Sequence, residues 1–487
     1  MKPVRSAVAS LMAMAATGAA LAAGAPQGFG PQGFGPQGPG AIPHLDHVFL
    51  IVEENHSFGQ IVGNPAMPYI NKLISNHQVN LATQYYAVGH PSLTNYLELV
   101  GGSNFGIRAD NPPDWHNVNC TPDIVGHTLN ADNLAPAGAL PNGVKQDINP
   151  GDNEADAPVC PVAGSGVDAA TPVLDTWNEN GGPFLALADI DGTKGVNAAS
   201  TVGETIADQL AQHGLSWRSY QESLPNSGAD GVNNANGTTY DTSKFLAALK
   251  TQGENNNSIA PYPVDSGIVN DYAVKHDPFA YFRSVQEGRP GSGLSLANIS
   301  GFDGANGLYA DLATGRVPTF SLIAPNQCDD QHGRDNADAF CQDDPGEVAF
   351  SSFGTEYTDG NLSGLNPGLA ANADASLHRI VTAITSSPAW NQGHNAIIVV
   401  WDENDYSGAT AANILASSNG VPTAAKFSAG EKNNVVLTVQ TSWGGGGKVS
   451  NNYYNSYSVL KSIEAGLGLP HLNHAADTDV AVFSDLF

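Results

Sequence analysis

Positive charge is scarce in this chain. Across 487 residues there are 19 Lys and Arg against 47 Asp and Glu, a formal charge of −28. That balance excludes nucleic-acid binding through a basic face. It would also repel an anionic ligand at long range, so a site for one needs a local cation. Long apolar runs are missing too. Beyond the N-terminus no stretch reaches the ~18 uninterrupted apolar residues of a membrane-spanning helix. Cysteine is limited to Cys120, Cys160, Cys328 and Cys341. With no close pair among them, they do not read as a zinc cluster. In an exported chain their even number favours disulfides. Proximity favours Cys120–Cys160 and Cys328–Cys341, although four cysteines allow three pairings.

What is present begins with an export pattern. Lys2 and Arg5 precede a small-apolar core from Ala7 to Ala20, and Ala20-Leu-Ala22 offers a cleavage point. Residues 1–22 therefore read as a signal peptide, and the expected location is periplasmic or secreted. Residues 23–43 carry a Pro-Gln-Gly-Phe-Gly repeat, a low-complexity linker with no core of its own. Residues 44–487 read as one large domain, with an irregular insertion over about 101–200 that is rich in Gly, Asn, Asp and Pro.

Within that domain, apolar runs alternate with helical spacing. Strands are expected at Val48–Val52, Leu81–Val88, Ser216–Tyr220, Val317–Ile323, Ala396–Trp401 and Val435–Val439. Helices are expected at Met67–Asn76, from Ser92 to Val100, and at Thr205–His213, Phe279–Gln286, Ser376–Thr385 and Ser458–Ala465. This alternation predicts an α/β fold with a mostly parallel central sheet covered by helices on both faces.

Two of the strands stop at acids. His47-Val-Phe-Leu-Ile-Val-Glu-Glu-Asn55 and Val399-Val-Trp-Asp-Glu403 are apolar runs that end abruptly. A buried parallel strand is a continuous apolar run, and ligands of open α/β sheets bind beyond the strands' carboxyl ends. Glu54, Asn55, Asp402 and Glu403 are thus expected to meet at one sheet edge, where hard oxygen ligands suit a divalent cation. Ser92 lies at a turn before an apolar helical run. A serine hydroxyl becomes a good nucleophile when a metal or a base takes up its proton. The helix start adds N–H donors and partial positive charge for an anion, and Asn95, one turn on, can reach the same anion. His276 and His332, in Lys275-His-Asp-Pro-Phe279 and Pro325-Asn-Gln-Cys-Asp-Asp-Gln-His332, are candidates to protonate a leaving oxygen or to bind phosphate.

Together these residues carry a resemblance. Glu54-Asn-His-Ser-Phe58, Gly89-His-Pro-Ser-Leu-Thr-Asn-Tyr96, Lys275–Phe279, Pro325–His332 and Trp401-Asp-Glu403 occur in that order. They resemble the phosphoesterase family of bacterial phosphatidylcholine-type phospholipases C and acid phosphatases, a branch of the alkaline phosphatase superfamily. The resemblance spans roughly residues 44–470. It implies an alkaline-phosphatase-like three-layer sandwich with long loop insertions and one divalent ion, whether Ca, Mg, Mn, Fe or Zn. Glu54, Asn55, Ser92, Asp402 and Glu403 would then be its ligands. Ser92 would be the nucleophile, with Asn95, His276 and His332 around the phosphoryl group. The Gly89–Tyr96 segment looks more like the acid phosphatase branch. One position departs from the family pattern: Ser456 stands where a histidine is common, which favours a one-ion site.

The expected activity is metal-dependent hydrolysis of a small phosphate monoester through a phosphoserine. The alternatives are a phospholipase C-type diesterase and a non-catalytic extracellular binding protein. Neither nucleic acid nor stable membrane insertion is expected, and oligomeric state is not readable.

Overall fold

The computed structural model describes residues 41–88, 92–103, 203–224, 272–282, 284–285, 291–333, 367–404 and 434–487. The expected signal peptide, the linker up to residue 40 and nearly all of the 101–200 insertion lie outside them, as do Cys120, Cys160 and Cys341, whereas Ile42, at the end of the expected linker, is buried in the core.

The most apolar segments form the middle of the sheet. Strand β1 (His47–Glu53) is buried at every position but the first. It lies between β5 (Phe320–Ala324) and β6 (Asn395–Trp401), which are buried throughout. A strand buried at successive residues is covered on both faces. The remaining strands are β2 (Asn80–Tyr86), β3 (Trp217–Gln221), β4 (Ile299–Ser300), β7 (Asn434–Thr441) and β8 (Val449–Asn455). They complete a single sheet in the order β4-β3-β5-β1-β6-β7-β2-β8. Only β7 runs against the others, pairing antiparallel with both β6 and β2. The mixed α/β architecture with a mostly parallel sheet is as expected.

Helices are α1 (Phe58–Ile61), α2 (Pro68–Ser75), α3 (Ser92–Gly101), α4 (Ile206–Gln212), α5 (Leu308–Thr314), α6 (Pro367–Ser386) and α7 (Ser456–Leu467). Helix α3 packs on α4 and α7, whereas α6 packs on α2 and α5. Every residue of α3 is buried. Gly102 lets it end there: at φ 68°, any Cβ would sit 2.6 Å from the Leu472 carbonyl oxygen.

Two expectations need correction. Strand β8 was not anticipated, because Val449-Ser-Asn-Asn-Tyr-Tyr-Asn455 is polar; as an edge strand it pairs only with β2 and leaves four residues exposed. The helix expected at Phe279–Gln286 opens instead with a 3-10 turn, Pro278–Tyr281, closed by Phe282 N–H on the Phe279 carbonyl; Ser284 and Val285 are helical beyond it, and residues 283 and 286 lie outside the described residues. In the turn, Phe279 packs against Trp217 at 4.6 Å between ring centroids. The aromatics of this turn are buried by tertiary packing.

Asp374 of α6 caps α2 across the interface between them. Its carboxylate accepts from Tyr69 N–H at 2.7 Å and Ile70 N–H at 2.9 Å. Helix α2 has no side-chain cap of its own, so Asp374→Ala should cost about 1–2 kcal/mol, as for a lost N-cap. Thermal or urea melts of the variant check this; an unchanged midpoint would show that the cap contributes nothing.

Candidate active site

Strand register assembles the first part of the site. β1 and β6 pair in parallel from His47↔Asn395 to Glu53↔Trp401. The next residues, Glu54 and Asp402, therefore leave the sheet side by side, and Asp402 N–H bonds the Glu53 carbonyl at 3.0 Å. Asn55 turns at φ 49°, a left-handed conformation that asparagine tolerates better than most residues. This turn points Asn55 N–H at Asp402 Oδ1, 3.1 Å away, and Glu403 N–H reaches the same oxygen at 2.6 Å. Asp402 Oδ2 makes no aligned hydrogen bond.

Ser92, the first residue of α3, lies directly over these strand ends and is fully buried. Its hydroxyl donates to Glu54 Oε2 at 2.9 Å, with Asn55 Oδ1 and Glu403 Oε1 each 3.4 Å away. Asn95 Nδ2, one turn on, donates to Glu403 Oε2 at 3.0 Å. The Asn95 amide thus positions a carboxylate, a role the sequence reading had not given it.

The segment after β5 and the 3-10 turn Val274–His276 supply the other side. Glu54 N–H bonds the Asp330 carbonyl at 2.8 Å, bringing that segment alongside β1. The His276 ring lies between two acids, with Nε2 3.2 Å from Glu54 Oε1 and Nδ1 3.1 Å from Asp330 Oδ2. It stacks on Tyr96 of α3, centroids 5.3 Å apart and planes 7° from parallel. Lys275 Nζ is 2.9 Å from His332 Nε2, and His332 Nδ1 is 3.0 Å from the Gly333 carbonyl. Both contacts are satisfied when the ammonium donates to Nε2 and Nδ1–H donates to the carbonyl. Gln331, at φ 83°, is held by Trp401 Nε1–H on its Oε1 at 2.6 Å. On the outer side, Arg379 pairs with Asp329 at 2.8 Å and Asn372 donates to the Cys328 carbonyl at 2.6 Å, tying the segment to α6.

Burial dominates the electrostatics. Glu54 is pushed well above the usual carboxylate range by burial and then by Asp402 and Asp330, with Lys275 opposing. Asp330 is raised by burial and Asp402 in the same direction. Asp402 rises to about 7, again through burial. Burial, Lys275 and His332 push His276 well below the ordinary histidine value. A buried ring with that bias is neutral at pH 7.

A divalent cation fits this arrangement. Glu54 Oε1, Asp402 Oδ2, Asp330 Oδ2 and both His276 nitrogens are buried without a properly aligned hydrogen bond. Carboxylates crowded out of water are costly unless paired or bound to a metal. The oxygen donors Glu54, Asn55, Ser92, Asp402 and Glu403 form one candidate ligand set. Glu54, His276 and His332 form an overlapping one, each bringing a ligand atom within 4.8 Å of the others.

All eight residues singled out from the sequence thus lie in one buried cluster. Asp330, Lys275 and Tyr96 belong to it and were given no role beforehand. Asp330 was open to discovery by a looser form of the rule that found Glu54: it lies in the segment that follows the fully buried strand β5. Lys275 carried no signal beyond its place next to His276. Ser456 is buried in the first turn of α7, beside the Tyr85 hydroxyl.

The sequence profile of the phosphoesterase family matches residues 64–342 and 366–470, well over half of the chain. The chain belongs to the phosphoesterase family. It is similar to a phosphatidylinositol-3-phosphatase of Mycobacterium tuberculosis, 37% identical over 91 residues, or 19% of this chain and 29% of the relative. A probable acid phosphatase of Kluyveromyces lactis is 28% identical over 152 residues, or 31% of this chain and 27% of the relative. The chain therefore spans less than a third of the length of either. Among solved structures, a protein in the alkaline phosphatase superfamily from Vibrio parahaemolyticus aligns with a TM-score of 0.37 and 10% identity, covering 88% of this chain and 68% of that one. Among the described residues no helix is long and apolar enough to cross a membrane.

Proposed function

We propose that this family member is an exported phosphoric ester hydrolase, a phosphomonoesterase of the acid phosphatase kind with Ser92 as its nucleophile. The observation that carries the reading is the Ser92 hydroxyl. It is buried at the start of α3, bonded to Glu54, and ringed by side chains from the ends of β1 and β6. The names of the relatives, a phosphatidylinositol-3-phosphatase and a probable acid phosphatase, agree with it.

Glu54, Asn55, Asp402 and Glu403 would hold a divalent ion. When bound, that ion supplies the positive charge that an acidic protein needs beside a phosphate and an ionising serine. The chain's own residues do the rest. Ser92 Oγ forms a bond to phosphorus as the ester P–O bond breaks, and its proton goes to Glu54 Oε2, the nearest acceptor. The α3 N-terminus offers N–H donors to the phosphoryl oxygens. Asn95 holds Glu403 in place. His332, supplied by Lys275, protonates the departing alkoxide. The low pKa of His276 and its place between two acids support giving this step to His332. Water then attacks the phosphoserine and gives a proton back to His332 and Lys275, while Ser92 leaves with the proton held by Glu54 and phosphate is released.

A substrate panel tests the class. With a divalent ion present, kcat/KM on p-nitrophenyl phosphate should exceed that on p-nitrophenylphosphorylcholine by at least about tenfold. The reverse ratio would move the chain to the phospholipase C branch. No turnover of either substrate with any of Ca, Mg, Mn, Fe or Zn would leave a binding protein on the same fold.

A further inference from the structure

Lys275 is a lysine buried among acids, with 1% of its surface exposed. Its Nζ sits 2.9 Å from His332 Nε2. Its charge also reaches Glu54 and Asp330, opposing the effect of burial on both, and it disfavours the charged form of His276. An ammonium that acts on four buried neighbours stands among them. Three of these, Glu54, His276 and His332, bring ligand atoms within 4.8 Å of one another.

Glu54 shows how this group relates to the oxygen ligands. Its Oε2 faces Ser92, whereas its Oε1 faces His276 Nε2 at 3.2 Å and makes no aligned hydrogen bond. One carboxylate therefore serves two neighbouring positions. The first is lined by Asn55, Ser92, Asp402 and Glu403. The second has one carboxylate oxygen and two imidazoles, donors suited to Zn or Mn. At the second position, ammonium and metal compete for one atom. His332 Nδ1 faces the Gly333 carbonyl, so Nε2 is the nitrogen left for a metal, and a nitrogen accepting a lysine proton cannot also bind an ion.

We propose that Lys275 takes the place of a second divalent ion, so that the site holds one ion and one built-in cation. The inference rests on the reading that the oxygen ligands hold the first ion. It makes Lys275 a determinant of metal stoichiometry, and it ties the lysine's charge to the balance of Glu54, Asp330 and Asp402.

Elemental analysis after equilibration with Mn²⁺ or Zn²⁺ tests it. Wild type should hold one ion per chain and Lys275→Met two. Adding His332→Ala to Lys275→Met should return the count to one. The same ion should raise the Tm of Lys275→Met by more than that of wild type. A Lys275→Met chain that stays at one ion overturns the proposal, as does a wild type that takes two ions or none. If Lys275→Met folds poorly, Lys275→Gln carries the same count. Folding restored by the ion supports the proposal. Failure of both variants to fold even with the ion overturns it, since the ammonium would then do something a divalent ion cannot. The phosphatase reading fails separately: a wild type that turns over no ester still gives ion counts that decide the role of Lys275.

Discussion

Ser92→Ala should lower kcat by at least about a thousandfold, roughly 4 kcal/mol of barrier at ~1.4 kcal/mol per decade. The hydroxyl is the only atom of Ser92 that the reaction uses. Removing it takes away the group that bonds to phosphorus, and what survives is catalysis by charge and position alone. The fold should persist. Ser92 is one buried residue at a helix end, and Leu93, Tyr96, Leu97 and Val100 of the same helix remain in the core. Alanine is also the best helix former. The decisive comparison is of kcat on p-nitrophenyl phosphate, with circular dichroism and a melt to show that the variant is folded. A variant that keeps more than about a tenth of wild-type kcat would remove Ser92 as nucleophile. Glu54 would then have to be considered as the base for an attacking water. Trapping a phosphoserine from wild type by acid quench, and its absence from the variant, would separate those two chemistries.

The parts of the site that were legible in the sequence were those whose chemistry is written locally. The apolar run Val48–Val52 and the run ending at Trp401 each announce a buried strand, and each is followed by acids. That they pair in register, bringing together Asn55 and Asp402 from 347 residues apart, follows from both needing the covered centre of a parallel sheet. Ser92 was legible because a hydroxyl before an apolar helical run is a recognisable helix start. Roles that depend on tertiary contact were not legible. Asn95 was expected to face an anion, yet its amide bonds Glu403, a partner 308 residues away. Lys275 carries no sequence signal of its own beyond its place in the Lys275–Phe279 motif; the turn at Val274–His276 places it beside His332. Strand β8 was missed because an edge strand needs only one partner and can be as polar as a loop. The helix expected from Phe279 onwards opens as a 3-10 turn, with helical residues only from Ser284. The apolar residues of that turn are buried by Trp217 and α3, so their burial does not require α-helical spacing.

Asp402→Asn should weaken divalent-ion binding by at least about a hundredfold, and Glu54→Gln by a similar factor, because hard-cation sites depend on ligand charge. The two variants test different parts of the site. Asp402 Oδ1 is already engaged by the N–H groups of Asn55 and Glu403, so its Oδ2 is the atom left for an ion. Glu54 carries Ser92 on one oxygen and faces His276 with the other. Loss of Glu54 should therefore also lower kcat when the ion is saturating, whereas Asp402→Asn should be largely rescued by excess ion. The pH dependence has a definite sign. Asp402 moves from the ordinary aspartate value of 3.8 up to about 7 in the ion-free fold. Its protonated form is the one the fold prefers. Its contribution to stability is complete below about pH 4 and is lost as the pH rises through about 7. Metal ligation needs the carboxylate, so binding should tighten over that same interval and offset the loss. Melts of the ion-free protein between pH 4 and 8 should show stability falling with pH, and added Mn²⁺ or Mg²⁺ should raise the Tm more at pH 7 than at pH 5. In Asp402→Asn the ion-free decline should be shallower and the ion-induced rise smaller. If the ion stabilises wild type equally at both pH values, or Asp402→Asn binds it as tightly as wild type, then Asp402 is not a ligand and the oxygen set at the ends of β1 and β6 is not where the ion sits.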